Sequence, residues 1–444
     1  MVSRNEDEHT KTFVVRMVSQ AWLSEEHVVD PIWWHWLTVV VPKTATTDVA
    51  MLYIGGGDNG DEQPDGANGL LRMLASSANT VVAELSMIPN QPLRFVDDDG
   101  GRSEDAIIAY GWDKFLRGGA RDEDAEWLLR LPMTKAAVRA MDTVEAVLED
   151  TRPVKRWVVG GASKRGWTTW TTAAVDGRVV AIVPLVIDLL NVEPSFDHHW
   201  RAYGFWAPAV GDYKTEGIME WQGRPEYARL LEITEPFSYR DRLALPKLII
   251  NASGDEFFLP DSWRFYWDEL IGEKHLRYVP NSGHSPADTD VPLTVANFLA
   301  SVAYGRQRPE YQWSASTDRI EVVTPPDAVP TRVSLWQASN PKTRDFRIVR
   351  IKKTWAEQEL EPVAPGRWVA DLVAPEQGWS AAFVELTYGE GADAFKVTSG
   401  IRVVPDELPH AAFVPDVSTL PPLPGAPMPT PSSMEPTAVQ ATPP

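Results

Sequence analysis

Short apolar runs alternate with longer amphipathic segments over much of the chain. Between about Val39 and Ala303, seven runs rich in β-branched and aromatic residues predict strands, and several are apolar without alternation, as expected of strands covered on both faces. The runs are WHWLTVVVP, VAMLYIGGG, NTVVAELSM, KRWVVGGAS, VVAIVPLVI, LPKLIINAS and HLRYVPNSG. Residues 133–148 and 288–304 place apolar side chains at helical spacing. The alternation predicts a mostly parallel α/β sheet flanked by helices.

This rhythm stops between residue 191 and about residue 243, where aromatic side chains are dense. Such a long interruption inside a compact domain is typically a functional loop or an inserted subdomain. We therefore predict a cap over the C-terminal edge of the sheet. Its Trp200, Trp206 and Trp221 are candidates for substrate contact, because an apolar lid excludes water from a reacting centre.

Beyond residue 308, the pattern changes to short alternating runs separated by turn residues. These runs are RIEVVTP, RVSLWQAS, FRIVRIKKTW, GRWVADLVA, SAAFVELTYG and FKVTSGIRVV. They predict a β-sandwich of immunoglobulin or fibronectin type over residues 309–408, after a catalytic domain over residues 1–308. Residues 409–444 are predicted to be a disordered tail, because residues 421–444 include 9 Pro and few groups that could form a core.

Composition narrows the range of functions. The 444 residues contain 42 Lys+Arg and 62 Asp+Glu, a net charge of −20, with no basic cluster, which argues against nucleic-acid binding. The absence of Cys excludes a disulfide framework, a thiolate metal site and a Cys nucleophile. No apolar run approaches the roughly 18 residues of a membrane-spanning helix. The N-terminus, MVSRNEDEHTKTFVV, is charged where an export signal is apolar.

The strongest local motif is VVGGASKRG at residues 158–166, between a predicted strand and a predicted helix. This is the setting of a nucleophile elbow, in which a serine occupies a tight strand-to-helix turn. Gly161 lies two residues before Ser163, but the next glycine, Gly166, lies three residues after it, where the usual spacing is two. The alternative interpretation is a glycine-rich turn of an ordinary α/β protein.

The order of the other candidates favours the elbow. A triad on this fold runs serine, acid, histidine, and here Asp255 and His284 follow Ser163, each just beyond a predicted strand. His284 is the candidate base and Asp255 the candidate acid that orients it. Asp188 and Glu256 remain alternatives for the acid. A further carboxylate, Asp261, is predicted to cap the helix that follows it.

An oxyanion hole is predicted from two loops. It combines the backbone N–H of Lys164 with an N–H of the glycine-rich loop at Gly56 and Gly57, which otherwise reads as a flexible turn. Arg165 is a candidate contact for an acidic substrate, with a salt bridge as the alternative. The adjacent His198 and His199 lack a third ligand at suitable spacing, so neither a metal nor another cofactor is predicted.

Several long motifs together resemble those of the PhoPQ-activated pathogenicity-related protein family, which includes autocrine proliferation repressor proteins. They are ELSMIPNQPLRF, GGASKRGWTTW, VPLVIDLLN, INASGDEFFLPDS and PNSGHS, in this order. The resemblance extends from about residue 10 to about residue 405. It implies an α/β-hydrolase-type catalytic domain and a serine hydrolase with Ser163, Asp255 and His284 as its triad. It also implies a secreted or periplasmic protein, while the absence of a visible export signal leaves a cytoplasmic location open.

The preferred hypothesis is therefore a serine hydrolase that forms an acyl-enzyme, acting on a small-molecule or polymeric ester. A peptidase of the same fold is one alternative. A binding or signalling protein that keeps the fold without turnover is the other.

Overall fold

A computed structural model describes residues 1–286 and 288–424. The strands are, in chain order, β1 (Ser3–Glu6), β2 (Thr10–Ala21), β3 (Ile32–Pro42), β4 (Val49–Ile54), β5 (Val81–Leu85), β6 (Leu93–Arg94), β7 (Gly101–Arg102), β8 (Arg156–Ala162), β9 (Val179–Leu185), β10 (Lys247–Ala252), β11 (Lys274–Val279), β12 (Gln312–Ala315), β13 (Arg319–Val323), β14 (Arg332–Asn340), β15 (Ala356–Glu359), β16 (Arg367–Asp371), β17 (Trp379–Tyr388), β18 (Phe395–Thr398) and β19 (Arg402–Val404). The α-helices are α1 (Gly69–Ala78), α2 (Asp105–Arg117), α3 (Arg130–Leu148), α4 (Lys164–Val175), α5 (Val192–Tyr203), α6 (Gly211–Thr215), α7 (Pro225–Thr234), α8 (Val291–Ala303) and α9 (Ile348–Ile351).

The N-terminal half is built on a nine-stranded sheet in the order β1-β2-β3-β5-β4-β8-β9-β10-β11. β1, β2 and β3 pair antiparallel, and β3 also pairs antiparallel with β5. From β5 to β11 every neighbouring pair is parallel. The exchange of β4 and β5 in space, followed by parallel strands in chain order, is the α/β-hydrolase arrangement. The predicted fold class is confirmed.

Helices cover both faces of this sheet. On one face α1 and α8 pack together, burying Leu71 and Phe298 in one apolar cluster. On the other face α3 and α4 pack against the sheet and bury Met141 and Trp170 in a second cluster. The parallel strands are buried on both sides as a result, which explains why the sequence of β8 and β10 shows no polar alternation.

A helical insertion lies between β9 and β10. It contains α5, α6, α7 and three 3-10 turns at Pro208–Val210, Ile218–Trp221 and Pro236–Arg242. This insertion corresponds to the cap expected from the aromatic-rich stretch. It packs on the helices that flank the sheet: α2 contacts both α6 and α7, and α4 contacts the turn at Pro236–Arg242.

The C-terminal half consists of antiparallel sheets, as a β-sandwich requires. One has the order β12-β13-β16, and the other has the order β15-β14-β17-β18, with β19 also paired to β17. The prediction that the FRIVRIKKTW run forms a strand is wrong. Its centre forms the short helix α9, because Ile351 and Phe346 are buried in the apolar cluster shared with the N-terminal half instead of alternating across a sheet.

The chain from 409 to 424 also differs from the prediction of a disordered tail. Phe413 packs against Trp200 and Trp206 of the cap, with ring centroids 4.8 Å and 5.1 Å apart. The backbone N–H of His410 donates to the carbonyl of Arg201 at 3.0 Å. The apolar side chains spaced between the prolines supply the contacts that proline content alone did not indicate. The rest of the predicted tail, 425–444, lies outside the described residues.

Asp261 does not cap a helix as predicted. Its carboxylate is buried and accepts from Arg344 Nη2 at 2.6 Å, and it pairs with His198 Nε2 at 2.9 Å. The partners come from the C-terminal half and from the cap, which the sequence pattern around residue 261 does not contain. The ion pair with Arg344 and the contact with His198 hold the pKa of Asp261 well below its usual range despite burial, which opposes ionisation.

Candidate active site

Ser163 lies in a strained turn between β8 and α4. Its φ and ψ are 58° and −125°, a conformation that non-glycine residues rarely adopt, and its N–H donates to the carbonyl of Leu185 at 2.8 Å. Gly161 allows this turn, because a Cβ there would lie 2.8 Å from the carbonyl oxygen of Arg165. This is the geometry of a nucleophile elbow.

The unusual glycine spacing has a structural explanation. A Cβ on Gly166 would lie 2.8 Å from Ile187 Cγ2, so Gly166 is where α4 approaches the loop after β9. Position 165, where the usual motif has glycine, carries an arginine whose guanidinium lies 3.1 Å from the Cβ that Gly56 would have. Arg165 thus fills space against the glycine-rich loop.

Ser163, His284 and Asp255 form one hydrogen-bonded relay. Ser163 Oγ lies 2.8 Å from His284 Nε2, and His284 Nδ1 lies 2.8 Å and 3.0 Å from the two carboxylate oxygens of Asp255. Asp255 also accepts from the backbone N–H groups of Phe257 and Phe258, at 2.8 Å and 3.3 Å. These contacts orient the imidazole with Nε2 toward the serine, the arrangement required for proton transfer from a hydroxyl.

The two alternative acids have other partners. Asp188 is buried, and its oxygens accept from Tyr266 and Tyr278 at 2.6 Å and 2.5 Å. Burial raises the pKa of Asp188 to about 8, against the two tyrosine hydrogen bonds, which lower it. Glu256 accepts from the backbone N–H of His284 at 2.8 Å and so supports the loop instead of the imidazole.

Of the three residues predicted to supply oxyanion donors, Lys164 and Gly56 lie beside Ser163 and Gly57 does not. Lys164 is the first residue of α4, where backbone N–H groups lack partners within the helix, and Gly56 lies with Ser163 and His284 around an open groove of about 560 Å³. Neither N–H donates to another group in the part of the chain that the structure describes. Gly57 is not among the groove residues; with φ of +123°, it turns the loop toward Asp61.

The cationic side chains after the serine are engaged by carboxylates. Lys164 Nζ, on a side chain only 6% exposed, pairs with Glu104 at 2.5 Å and with Asp105 at 3.0 Å. Arg165 makes two bonds to Glu104, at 2.6 Å and 2.9 Å. Burial would raise the pKa of Glu104, but the hydrogen bond from Arg165 and the charge of Lys164 hold it at about 2. The salt-bridge alternative weighed for Arg165 is the one observed.

A second space beside Ser163 is small, more enclosed than the open groove and mostly apolar. We call it the closed chamber; its volume is about 30 Å³. Its ring-bearing walls are Trp112, Trp167, Phe196, Tyr213, Phe257 and Phe258.

The three cap tryptophans predicted to touch substrate line neither this chamber nor the open groove among the described residues. Trp200 and Trp206 face Phe413, and Trp221 is buried beneath Arg224. The prediction that they contact substrate therefore has no support in the structure, because these rings form the core of the cap.

The adjacent histidines also serve the cap. His198 contacts Asp261, and His199 Nε2 accepts from the N–H of Ala207 at 3.0 Å. In residues 1–286 and 288–424, no group of three or more His, Cys, Asp or Glu side chains is arranged to hold a metal ion. Over the same residues, no helix combines the length and the apolar character needed to cross a bilayer.

Sequence reasoning missed Glu104, just before α2, Asp105 at the start of α2, and Arg130 at the start of α3, which line the two spaces beside Ser163. Arg130 carried a usable signal: it shares a helical face with the buried Thr134 and Ala137. A charged residue on the apolar face of a helix is a candidate functional residue.

The C-terminal half supports the loops of the relay. The N–H of Ile348 in α9 donates to the carbonyl of Gly254 at 2.8 Å, next to Asp255. A Cβ on Gly283, next to His284, would lie 2.9 Å from Ile348 Cγ2. One side chain therefore packs against both the acid loop and the base loop.

The sequence matches the family described as PhoPQ-activated pathogenicity-related protein over residues 1–347. The chain belongs to this family. Its PhoPQ-related relatives include autocrine proliferation repressor protein A of Dictyostelium discoideum, which is 36% identical over 432 residues, covering 90% of this chain and 86% of the relative.

Solved structures with a similar fold include acetyl xylan esterase 1 from a Thermoanaerobacterium species, at 16% identity and a TM-score of 0.46, covering 68% of this PhoPQ-related chain and 86% of that chain. They also include an acylaminoacyl peptidase of Pyrococcus horikoshii, at 12% identity and a TM-score of 0.41. The match covers 65% of this chain and 40% of the peptidase chain. The strand order and parallel connections of the PhoPQ-related chain define its fold.

Proposed function

We propose that this protein is a serine hydrolase that cleaves carboxylic esters through an acyl-enzyme. The observation that carries the proposal is the relay in which His284 joins Ser163 Oγ at 2.8 Å to both oxygens of Asp255. A neutral serine is a weak nucleophile, and a base at hydrogen-bond distance is what activates it.

In the first half of the reaction, Ser163 Oγ bonds to the ester carbonyl carbon while His284 Nε2 takes the hydroxyl proton. Asp255 stabilises the imidazolium that forms. The N–H groups of Lys164 and Gly56 donate to the developing oxyanion. The carbon–oxygen bond to the alcohol then breaks, and the alcohol leaves with the proton from Nε2.

In the second half, His284 Nε2 takes a proton from water, and the resulting hydroxyl attacks the acyl carbon. The Ser163 ester bond breaks, Oγ recovers its proton from Nε2, and the carboxylic acid is released. Overall, one ester and one water give one acid and one alcohol. The site needs no electron donor or metal for this balance.

The test is hydrolysis of p-nitrophenyl acetate beside an acetyl-alanine p-nitroanilide of the same chromophore class. Esterase activity predicts turnover of the ester with kcat/KM far above that of the anilide. Ser163→Ala should lower ester kcat/KM by about 10³-fold or more while keeping the Tm. Equal turnover by the folded variant would remove Ser163 from the mechanism, and preference for the anilide would favour the peptidase.

A role without turnover is the second candidate, because the Dictyostelium relative is named as a proliferation repressor. It predicts that Ser163→Ala retains the biological effect of the protein in a growth assay. Export is likewise a proposal that rests on the family resemblance. Fractionation of the source cells tests it, and recovery of the protein in the cytoplasm alone would contradict it.

A further inference from the structure

Two spaces meet at Ser163 and differ in access. The open groove, lined by Gly56, Glu84 and His284, holds about 560 Å³, whereas the closed chamber on the other side holds about 30 Å³. In an acyl-enzyme reaction the alcohol must leave before water attacks, while the acyl group stays on the serine. The alcohol therefore fits the open groove, and the acyl group fits the closed chamber.

The closed chamber contains a buried cation without a carboxylate partner. Arg130 is 4% exposed, and its Nη1 donates to the carbonyl of Lys164 at 2.9 Å. The guanidinium carbon lies 4.6 Å from the ring centroid of Trp167, and Nε has no hydrogen-bond partner. No carboxylate oxygen of the described residues lies within 4.0 Å of this guanidinium. A buried charge without a counter-ion is unfavourable, so such groups in proteins are normally paired.

The neighbouring charges do not supply that partner. Glu104 and Asp105 are held by Lys164, and Glu104 also by Arg165. Of the three charged residues that line the chamber, Asp105 and Lys164 pair with each other at 3.0 Å, which leaves the charge of Arg130 without a paired carboxylate there. Burial lowers the pKa of Arg130, but a guanidinium stays protonated in proteins. The chamber is therefore cationic within apolar walls.

The size of the chamber limits what could neutralise it. The volume of about 30 Å³ is two to three times the roughly 10–15 Å³ that one water-sized probe occupies, so the chamber accepts a group of a few heavy atoms. A carboxylate is of that size and matches the planar donor geometry of a guanidinium. The apolar walls lower the local dielectric constant, which strengthens such a pair.

We infer that the closed chamber binds a carboxylate on the acyl part of the substrate, so that the enzyme prefers short half-esters of dicarboxylic acids to neutral esters. This inference rests on the proposed hydrolase function and adds a specificity-determining residue, Arg130, to it. Cleavage follows the balance given above: the ester carbon–oxygen bond breaks, water supplies the hydroxyl, and the products are an alcohol and a dicarboxylate.

The kinetic test compares monoethyl malonate with ethyl isovalerate, in which an isopropyl group replaces the carboxylate at similar shape. The ratio of their kcat/KM values, malonate over isovalerate, should fall at least about tenfold in Arg130→Met, the size expected for loss of one charge-assisted hydrogen-bond pair. Arg139→Met, an exposed arginine on the same helix, is the matched control and should leave the ratio unchanged. A purely structural role for Arg130 would move both esters alike, and an unchanged ratio overturns the inference.

The binding test separates this inference from the hydrolase itself. Calorimetry on Ser163→Ala should show that monoethyl malonate binds at least about tenfold tighter than the neutral ethyl isovalerate, which requires no turnover and no folded Arg130 variant. Equal affinities overturn the inference. Tight binding of monoethyl malonate with no turnover of either ester would contradict the hydrolase function and support the anion site. Turnover of both esters, with a kcat/KM ratio that Arg130→Met leaves unchanged, would support the hydrolase function and contradict the anion site.

Discussion

Asp255 and Asp188 follow adjacent parallel strands, and of the two, Asp255 is the one whose carboxylate meets the imidazole of His284. Asp255 comes three residues after β10 and bonds Nδ1 at 2.8 Å, whereas Asp188 comes three residues after β9 and bonds two tyrosines. We expect Asp255→Asn to lower kcat/KM for a short acyl ester by about 10³-fold or more, because the imidazole loses its orienting acid. Asp188→Asn should stay within about tenfold of the parent. The reverse ranking would make Asp188 the acid.

The same Asp188 should make stability depend on pH. Its pKa rises from an ordinary 3.8 to about 8 in the folded chain, so between these values the folded state holds a proton that the unfolded state has lost. Stability from this group is therefore lost as the pH rises from 4 to 8, by up to about 1.4 kcal/mol per pH unit. Asp188→Asn cannot titrate and should flatten that slope. Urea unfolding of both proteins across this range measures it, and parallel slopes would exclude the contribution.

Glu104 should act in the opposite direction. Its pKa falls from an ordinary 4.5 to about 2 on folding, so its contribution is present above pH 4.5 and is lost as the pH falls toward 2. Glu104→Gln should destabilise the protein by about 1–2 kcal/mol at pH 7, less than a fully buried pair would, because 40% of the Glu104 side chain is exposed. The difference between parent and variant should shrink near pH 3. A difference that stays constant with pH would contradict an ionic origin.

Ile348 links the C-terminal half to the relay. Its substitution by Ala removes the contact with the loops at Gly254 and Gly283, so we expect kcat to fall several-fold while KM changes less. The neighbouring Val349, 52% exposed, is a matched control, and Val349→Ala should behave as the parent. Steady-state kinetics on a short ester measures both. Equal kcat in the two variants would show that the relay holds its geometry without this support.

The positions of the relay residues were predictable from short sequence motifs, whereas the partners of the buried carboxylates depend on contacts between residues distant in sequence. Ser163, Asp255 and His284 each follow a strand in the order that this topology requires, so their places beyond neighbouring strands were predictable from the sequence. The partners of Asp188 and Asp261 are tyrosines and an arginine distant in sequence, which no local pattern contains. The cap tryptophans were predicted to contact substrate because an aromatic-rich sequence does not distinguish side chains that form the core of the cap from side chains that line a binding site. α9 was taken for a strand because a short apolar run does not distinguish the two.

The central claim is that Ser163 is an activated nucleophile, and labelling with a fluorophosphonate tests it most directly. The parent should gain one covalent adduct, located by mass spectrometry on the peptide that contains Ser163, with loss of ester hydrolysis in step. Ser380→Ala, a serine of the C-terminal half that pairs with Ser339 at 2.7 Å, should label as the parent does. Ser163→Ala should not label. A folded parent that gains no adduct, or one that reacts equally after Ser163→Ala, would contradict the account.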